Sequence, residues 1–152
     1  MSSVFFYHLT EGPLGDVLPV LISKARQAGW RICLRGRNPL MMQQLDQRLW
    51  TGDPNGFLPH GLAGGPHDAD QPVLLTVDAG MPNGAQCLMS VDGADVDPGE
   101  VAGLERAMIL FDGFDQDAVA HARTQWKAVT GAGVAAQYWA QEDGRWVKKA
   151  ES

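Results

Sequence analysis

The sequence predicts an α/β fold, a three-layer sandwich in which helices cover both faces of a mostly parallel β-sheet. Short apolar segments of strand length alternate with longer segments whose apolar residues recur every three or four positions. The strand segments are mostly apolar, as in parallel sheets that are buried on both faces. With 152 residues, 45% of them hydrophobic and 20% charged, the chain has the size and composition of one ordinary globular domain. We therefore expect residues 1–152 to form a single domain.

Two strand–helix units open the chain. Residues 4–8 are predicted to form a strand, and a helix follows with Asp16 as its N-cap. Residues 30–34 are predicted to form the second strand, after which Asn38 and Pro39 supply the cap and first turn of a second helix. The apolar faces of the two helices consist of Leu18, Leu21, Ile22 and Ala25, and of Met42, Leu45 and Leu49.

The alternation resumes after a long segment. Residues 51–71 contain five glycines and three prolines and are predicted to form an ordered loop. A short helix is predicted near Pro98, and a long helix over 116–130 with Asp115 as its N-cap. Further strands are predicted at residues 72–77, 85–91, 108–111 and 134–140. A polar end is predicted to close the chain.

Charge and hydropathy exclude several classes of protein. The net charge of −6 argues against a protein whose whole surface binds nucleic acid. That charge is uneven: residues 1–48 carry +3, residues 49–105 carry −9, and residues 106–152 are neutral. No apolar stretch is long enough to span a bilayer and no signal sequence opens the chain, so we expect a soluble, cytoplasmic protein. Cys33 and Cys87 are predicted to be reduced core residues.

The glycine pattern predicts that the Rossmann-like fold lacks a nucleotide site and binds no cofactor. The first strand–helix turn has Gly12 and Gly15 in place of the three glycines of a dinucleotide fingerprint. It also places the carboxylate of Asp16 where a pyrophosphate would meet the helix. Gly131 and Gly133 follow a helix and precede a strand, which is typical of a helix C-terminus.

The histidines predict no metal site. His60 and His67 lie near Asp68 and Asp70 in a glycine-rich loop, but their spacing matches no known metal motif, and hydrogen bonds that stabilise the loop are favoured. No serine or cysteine has the context of a nucleophile, so we predict no catalytic residue. The alternative that the sequence leaves open is a small nucleotide- or metal-dependent enzyme using residues 12–16 or the His60–Asp70 loop.

Two groups of residues are candidates for binding a partner. Arg123 and Lys127 are four residues apart on the predicted long helix, beside the apolar stripe that holds Trp126. Such a surface suits a peptide with carboxylates and an apolar anchor, although periodicity alone favours an ordinary basic flank with Trp126 in the core. Trp50 and Phe57 flank a polar turn and are either partner anchors or lids over the edge of the core.

Several segments, in this order, resemble the chi subunit of bacterial DNA polymerase III holoenzyme, and they run through most of the chain. They are Val4-Phe5-Phe6-Tyr7, Leu45-Asp46-Gln47-Arg48-Leu49-Trp50, Phe57-Leu58-Pro59-His60-Gly61-Leu62-Ala63-Gly64, Pro72-Val73-Leu74-Leu75 and Ala122-Arg123-Thr124-Gln125-Trp126-Lys127-Ala128. The resemblance implies a Rossmann-like fold without a nucleotide site and a non-catalytic subunit of the clamp-loader complex.

The resemblance also implies partners. Chi-like proteins bind the acidic C-terminal tail of single-stranded DNA-binding protein, which ends in Pro-Phe, and contact the psi subunit, so DNA is reached mainly indirectly. By motif match, the resemblance implies that Arg123, Trp126 and Lys127 are the tail-binding positions. Val119, Trp126 and residues near Tyr138 are then expected to line a pocket for the last phenylalanine of the tail. Trp50 and Phe57 match the psi-contacting positions. Where the family often has further basic residues, Ala118, Val119 and Ala120 are neutral, which implies either a weaker affinity for the tail or a greater reliance on Lys148 and Lys149.

Overall fold

A computed structural model describes residues 2–51 and 60–152, except the side chains of Trp50 and Thr51. This part of the chain contains eight strands and four helices. The strands are β1 (Ser3–Leu9), β2 (Ile32–Arg35), β3 (Gly61–Leu62), β4 (Val73–Thr76), β5 (Cys87–Ser90), β6 (Arg106–Asp112), β7 (Ala135–Glu142) and β8 (Arg145–Glu151). The helices are α1 (Leu14–Gln27), α2 (Pro39–Thr51), α3 (Pro98–Val101) and α4 (Gln116–Gly131).

The strands form one mixed sheet in the order β3-β4-β2-β5-β6-β1-β7-β8. Every neighbouring pair is parallel except β7 and β8, which are antiparallel. The prediction of an α/β fold with a mostly parallel sheet is therefore confirmed. Strand β1 lies between β6 and β7, so both of its edges are hydrogen-bonded within the sheet.

Alternation along the strands divides the core into two layers. On β1, Tyr7 and Leu9 belong to the cluster that α1 and α2 cover. Val4 and Phe6 belong to the cluster on the opposite face, which α3 and α4 cover. Successive residues of a strand point to opposite faces, so an apolar strand such as β1 contributes to both layers. None of the described helices has the length and hydrophobicity that crossing a bilayer requires.

The start of α1 and the segment 51–71 differ from the sequence predictions. Helix α1 begins at Leu14, with Pro13 as its N-cap in an extended conformation, so the prediction of Asp16 as the cap is wrong. Asp16 lies in the first turn, where a carboxylate is favourable, and pairs with Arg48 of α2. The predicted loop over 51–71 contains the short strand β3 and a 3₁₀ turn over Asp68–Asp70, both within its described part.

The polar end of the chain forms a strand that the sequence prediction missed. Strand β8 pairs with β7 through a turn in which Asp143 has a φ of 53° and Gly144 a φ of 75°. Two consecutive residues with positive φ suit the turns that connect hairpins, and Asp-Gly is a preferred sequence for them. The Asp143-Gly144 dipeptide was the sequence signal from which this hairpin could have been predicted. Most of β8 is exposed, so it lacks the apolar pattern that identifies buried strands.

A buried ion pair joins β2 to α3. The guanidinium of Arg35, which is 6% exposed, donates two hydrogen bonds to the Glu100 carboxylate, at 2.7 Å and 3.2 Å. It also donates to the carbonyl of Asp95 at 3.1 Å. Glu100 in turn accepts a hydrogen bond from the backbone N–H of Asp97, which completes the capping box of α3. The pair therefore fixes the position of α3 against the sheet.

Both cysteines are buried, unpaired thiols, as predicted. Burial raises the pKa of Cys33 to about 11 and that of Cys87 to about 12, because a thiolate is poorly solvated inside the core. Both side chains are therefore protonated at neutral pH and have the character of small hydrophobic residues.

Replacing Asp115 with alanine is expected to lower the free energy of unfolding by about 1 kcal/mol and the melting temperature by about 2–4 °C. Its carboxylate accepts hydrogen bonds from the N–H groups of Asp117 and Ala118, at 3.0 Å and 3.3 Å, at the start of α4. Thermal unfolding followed by circular dichroism measures the loss. Asp115→Asn, which keeps the acceptor, is the control and should unfold close to the wild type; equal losses in both variants would contradict the cap.

Candidate functional site

Helix α4 packs against β6 and β7 and divides its side chains between the core and two flanks. Ala122, Gln125 and Val129 are buried beneath the helix. The flank towards β7 carries Val119, Arg123 and Trp126, which lie one above the other because they are four and three residues apart. The sequence-predicted tail-binding residues of α4 are thus brought to one side of the helix, with Lys127 at its solvent-facing edge.

Trp126 connects this flank to the sheet. Its ring centroid lies 5.3 Å from that of Phe6 on β1 and 6.1 Å from that of Tyr138 on β7, and both contacts are edge-to-face. The side chain is half-buried. Trp126 therefore packs against the core and also leaves part of its ring at the surface.

Tyr138 forms the floor of the site beside α4. Its hydroxyl is hydrogen-bonded to Nδ1 of His8 at 2.7 Å, and its ring contacts Phe111 edge-to-face at 5.9 Å. Burial raises the pKa of Tyr138, and the positive charge of Arg123 partly offsets that rise. We call Val119, Arg123, Trp126, Lys127 and Tyr138 together the α4–β7 surface.

The cations of the α4–β7 surface are exposed. Within the described residues, neither Arg123 nor Lys127 forms an ion pair. Their charges are thus available to a carboxylate of another molecule.

The two lysines of β8, in contrast, form ion pairs within the fold. Lys148 pairs with Glu151 at 2.9 Å, and Lys149 pairs with Glu142. Lys148 also lies opposite Trp139 in the antiparallel register, and cross-strand partners share a face of the sheet. Trp139 packs in the layer of α1, so Lys148 points away from α4.

The two positions matched to a psi contact lie at the limit of the described residues. Trp50 belongs to the last turn of α2, whose backbone ends at Thr51, and its side chain is not described. Phe57 lies outside the described residues. Both assignments stay predictions.

The first strand–helix turn has its polar groups engaged by the β7–β8 hairpin. The Glu11 carboxylate accepts hydrogen bonds from the N–H groups of Asp143 and Gly144, both at 2.8 Å. The side-chain oxygen of Gln141 accepts from the N–H groups of Thr10 and Glu11, at 2.9 Å and 3.0 Å. These donors are used within the fold, which disfavours a phosphate-binding role for the turn.

The His60–Asp70 loop is held by hydrogen bonds to α2 and within the loop, in line with the prediction of loop-stabilising hydrogen bonds. His60 is 4% exposed, and its Nε2 donates to the backbone carbonyl of Asp46 at 3.0 Å. The Asp68 carboxylate accepts from the N–H groups of Gly64 and Gly65, at 2.9 Å and 3.1 Å. Across residues 2–51 and 60–152, no three His, Cys, Asp or Glu side chains are placed to hold a metal ion.

A cavity of about 380 Å³ opens at the carboxyl ends of the central strands, the usual ligand position in open α/β sheets. Sequence reasoning did not identify it. Its polar lining includes Arg37 and His121, but also four carboxylates, those of Asp92, Asp112, Asp115 and Asp117. The Asp92 carboxylate already accepts hydrogen bonds from the N–H groups of Arg37 and Asn38. Four carboxylates at one mouth disfavour a nucleotide phosphate.

Comparison with known proteins connects the chain to a replication family. The family model described as "DNA polymerase III chi subunit, HolC" matches residues 1–137. A curated protein of Rickettsia prowazekii (strain Madrid E), named "Probable DNA polymerase III subunit chi", is 25% identical over 96 residues. That alignment covers 63% of this chain and 58% of the relative's length. The family match includes all of α4 and ends inside β7.

Proposed function

Because the chain belongs to the DNA polymerase III chi subunit family, we propose that it is a non-catalytic subunit that links the clamp loader to single-stranded DNA-binding protein. It does so by binding the acidic C-terminal tail of that protein on the α4–β7 surface. The observation that supports this proposal most is the pair of exposed cations, Arg123 and Lys127, beside the half-buried ring of Trp126.

The chemistry of the surface is complementary to such a tail. Carboxylates of the tail pair with Arg123 and Lys127, since charge-assisted hydrogen bonds between a guanidinium or ammonium group and a carboxylate are the stronger ones. The tail's last phenylalanine packs against Val119, Trp126 and Tyr138, where rings already stack edge-to-face. An apolar anchor beside paired charges supplies both affinity and orientation.

The placement of charge on α4 favours this flank of the helix. On the opposite flank, Nε2 of His121 lies 2.9 Å from the carboxylate of Asp95, which belongs to the acidic segment of the chain. An acidic peptide is repelled there and attracted on the side of Arg123. A few local cations therefore suffice, although the net charge of the chain is −6.

The second partner in this proposal is the psi subunit. The proposed contact consists of Trp50, at the end of α2, and Phe57. Helix α2 packs on the face of the sheet that α1 also covers, whereas α4 packs against β6 and β7 on the opposite face. The backbone of Trp50 and the α4–β7 surface therefore belong to helices on different faces of the sheet, which supports a role in joining two partners.

Arg123→Ala and Lys127→Ala are each expected to weaken binding of an acidic peptide ending in Pro-Phe by about tenfold, because each removes a charge-assisted hydrogen bond worth about 1.5 kcal/mol. Isothermal titration calorimetry measures the change. Salt should also weaken binding, since exposed charges are screened beyond about 10 Å at 0.1 M ionic strength.

Lys148→Ala is the matched control, because it removes one positive charge on the opposite face of the sheet. It should bind the peptide as the wild type does. A peptide that lacks the terminal phenylalanine should bind weakly to every variant. Equal affinity of the wild type, Arg123→Ala and Lys127→Ala would contradict the assignment of the site.

A further inference from the structure

A second surface lies on the face of the sheet opposite α4, between α1 and strands β1, β6, β7 and β8. It is a groove with a volume of about 380 Å³. We call it the aromatic groove, after the residues that characterise its lining: Phe5, Lys24, Trp30, Arg106, Trp139 and Trp146. The proposed tail site shares no residue with it.

Aromatic rings extend from the core to the surface in this groove. Trp146 of β8 contacts the buried Tyr7 edge-to-face at 5.0 Å. Trp139 of β7 contacts Phe5 at 6.4 Å, with an angle of 35° between the rings. Both tryptophans are half-buried, because β7 and β8 extend the sheet outward from the strands of the core. They therefore provide apolar ring surface at the edge of the fold.

Two cations border these rings. The guanidinium carbon of Arg106 lies 4.1 Å from the ring centroid of Phe5 and 5.2 Å from that of Trp30. Nε of Arg106 is buried and has no hydrogen-bond partner among the described residues. Lys24 of α1 is exposed, and neither it nor Arg106 forms an ion pair with a described carboxylate. The groove lining itself includes no Asp or Glu among the described residues.

The negative charge of the chain lies mostly elsewhere. Residues 49–105 carry −9, and their strands β3, β4 and β5 occupy the other half of the sheet. The groove is built from β1, α1, β6, β7 and β8, which come from the segments with the positive and neutral balance. An anionic ligand is therefore attracted to the groove, despite the net charge of −6.

We propose that the aromatic groove binds single-stranded DNA, with bases stacked on Trp139 and Trp146 and phosphates paired with Lys24 and Arg106. Sequence-tolerant binding of single strands combines a cationic groove with aromatic side chains on which bases stack. The membership of the chain in a DNA polymerase subunit family selects DNA as the strand. An acidic peptide would use the cations but has no need of several tryptophan rings in one groove.

This inference goes beyond the proposed function, because it assigns a direct contact with DNA on the face opposite the α4–β7 surface. Such a protein contacts DNA that is covered by single-stranded DNA-binding protein at two points, the tail of that protein on one face and the single-stranded DNA itself on the other. Two linked contacts bind more tightly than either alone when the geometry allows both.

Titration of the full chain with an oligothymidylate, followed by tryptophan fluorescence at low salt, tests the proposal. Stacking of thymine on Trp139 and Trp146 is expected to quench the emission. Lys24→Glu is expected to weaken binding at least tenfold and to reduce the slope of log affinity against log salt by about 0.7, the value for one phosphate contact. Trp146→Ala should also weaken binding at least tenfold, since stacking on one ring contributes about 1–3 kcal/mol per base.

Arg37→Glu is the matched control for charge, because it changes the net charge by the same amount at an exposed position far from the groove. It should bind the oligonucleotide as the wild type does. Lys24→Glu should keep wild-type affinity for the acidic tail peptide, so loss of DNA binding is distinguished from failure of the tail site.

Three results would overturn the proposal. The first is the absence of quenching and of binding by the wild type at low salt. The second is equal weakening by Lys24→Glu and Arg37→Glu, which would indicate a general effect of charge. The third is competition for the groove by the tail peptide, with loss of peptide binding in Lys24→Glu, which would make the groove a peptide site. Melting temperatures of the variants identify any that fail to fold. In that case Trp146→Leu, which keeps an apolar side chain but removes the ring, replaces Trp146→Ala with the same expected loss of binding.

Discussion

Glu100→Ala is expected to lower the free energy of unfolding by about 3 kcal/mol, because it leaves a buried guanidinium without its carboxylate. Arg35 is 6% exposed and donates two of its hydrogen bonds to Glu100. Breaking a buried pair from one side costs about 3–5 kcal/mol, and the lower end applies because the Glu100 side chain is 23% exposed. The same change removes the acceptor for the N–H of Asp97 at the start of α3.

Urea denaturation measures this loss, with Glu105→Ala as the matched control. Glu105 is exposed, two residues after the turn that ends α3, and its replacement should change the free energy of unfolding by at most about 0.5 kcal/mol. Glu100→Gln keeps an acceptor oxygen and should be less destabilised than Glu100→Ala. If Glu100→Ala unfolds like the Glu105→Ala control, the pair does not hold α3 to the sheet.

Gly113→Ala is expected to destabilise the fold by about 2–3 kcal/mol, a typical cost of inserting a methyl group into a packed region. A Cβ atom at this position would lie 2.0 Å from Cδ2 of His8 and 2.7 Å from Cγ2 of Thr10. The imidazole must then move, and its hydrogen bond to the Tyr138 hydroxyl is lost. Because Tyr138 belongs to the α4–β7 surface, the variant should also bind the tail peptide less tightly.

Gly131→Ala is the matched control for this substitution. Gly131 is the last residue of α4, and a Cβ atom there would meet no atom within 4 Å among the described residues. It should be neutral or slightly stabilising, since alanine favours the helix. The double variant His8→Ala, Gly113→Ala should be less destabilised than the sum of the two single changes, because removing the ring removes the clash. Equal stability of Gly113→Ala and Gly131→Ala would show that the loop after β6 adjusts without moving His8.

Local pattern identified most of the architecture. The strands β1, β4 and β6 are mostly apolar, and α2 and α4 each begin after a residue whose side chain accepts a hydrogen bond from the first turn, Asn38 and Asp115. Strand β8 was not predicted because it lies at the edge of the sheet and is mostly exposed, so its residues do not have to be apolar. The start of α1 was misplaced because Pro13 and Asp16 are both acceptable near a helix N-terminus, and local propensity does not choose between them.

The spacing of Arg123, Trp126 and Lys127 already predicted a cationic helix flank beside an aromatic residue, because helical geometry alone relates positions three and four apart. The burial of Trp126 depends on its contacts with Phe6 and Tyr138. Those two residues lie next to it because β1 and β7 are neighbours in the sheet, which the sequence pattern does not reveal.

Local sequence pattern was therefore enough to predict the fold class, the alternation of elements and the composition of each helix face, since these depend on near neighbours in the chain. The Arg35–Glu100 pair and the aromatic groove depend instead on contacts between residues that are far apart in the sequence. The groove draws its rings and cations from residues near the two ends of the chain and from β6, and no local period relates them. Their proximity arises because β1 lies between β6 and β7, and long-range strand pairing of this kind leaves no mark in a short window of sequence.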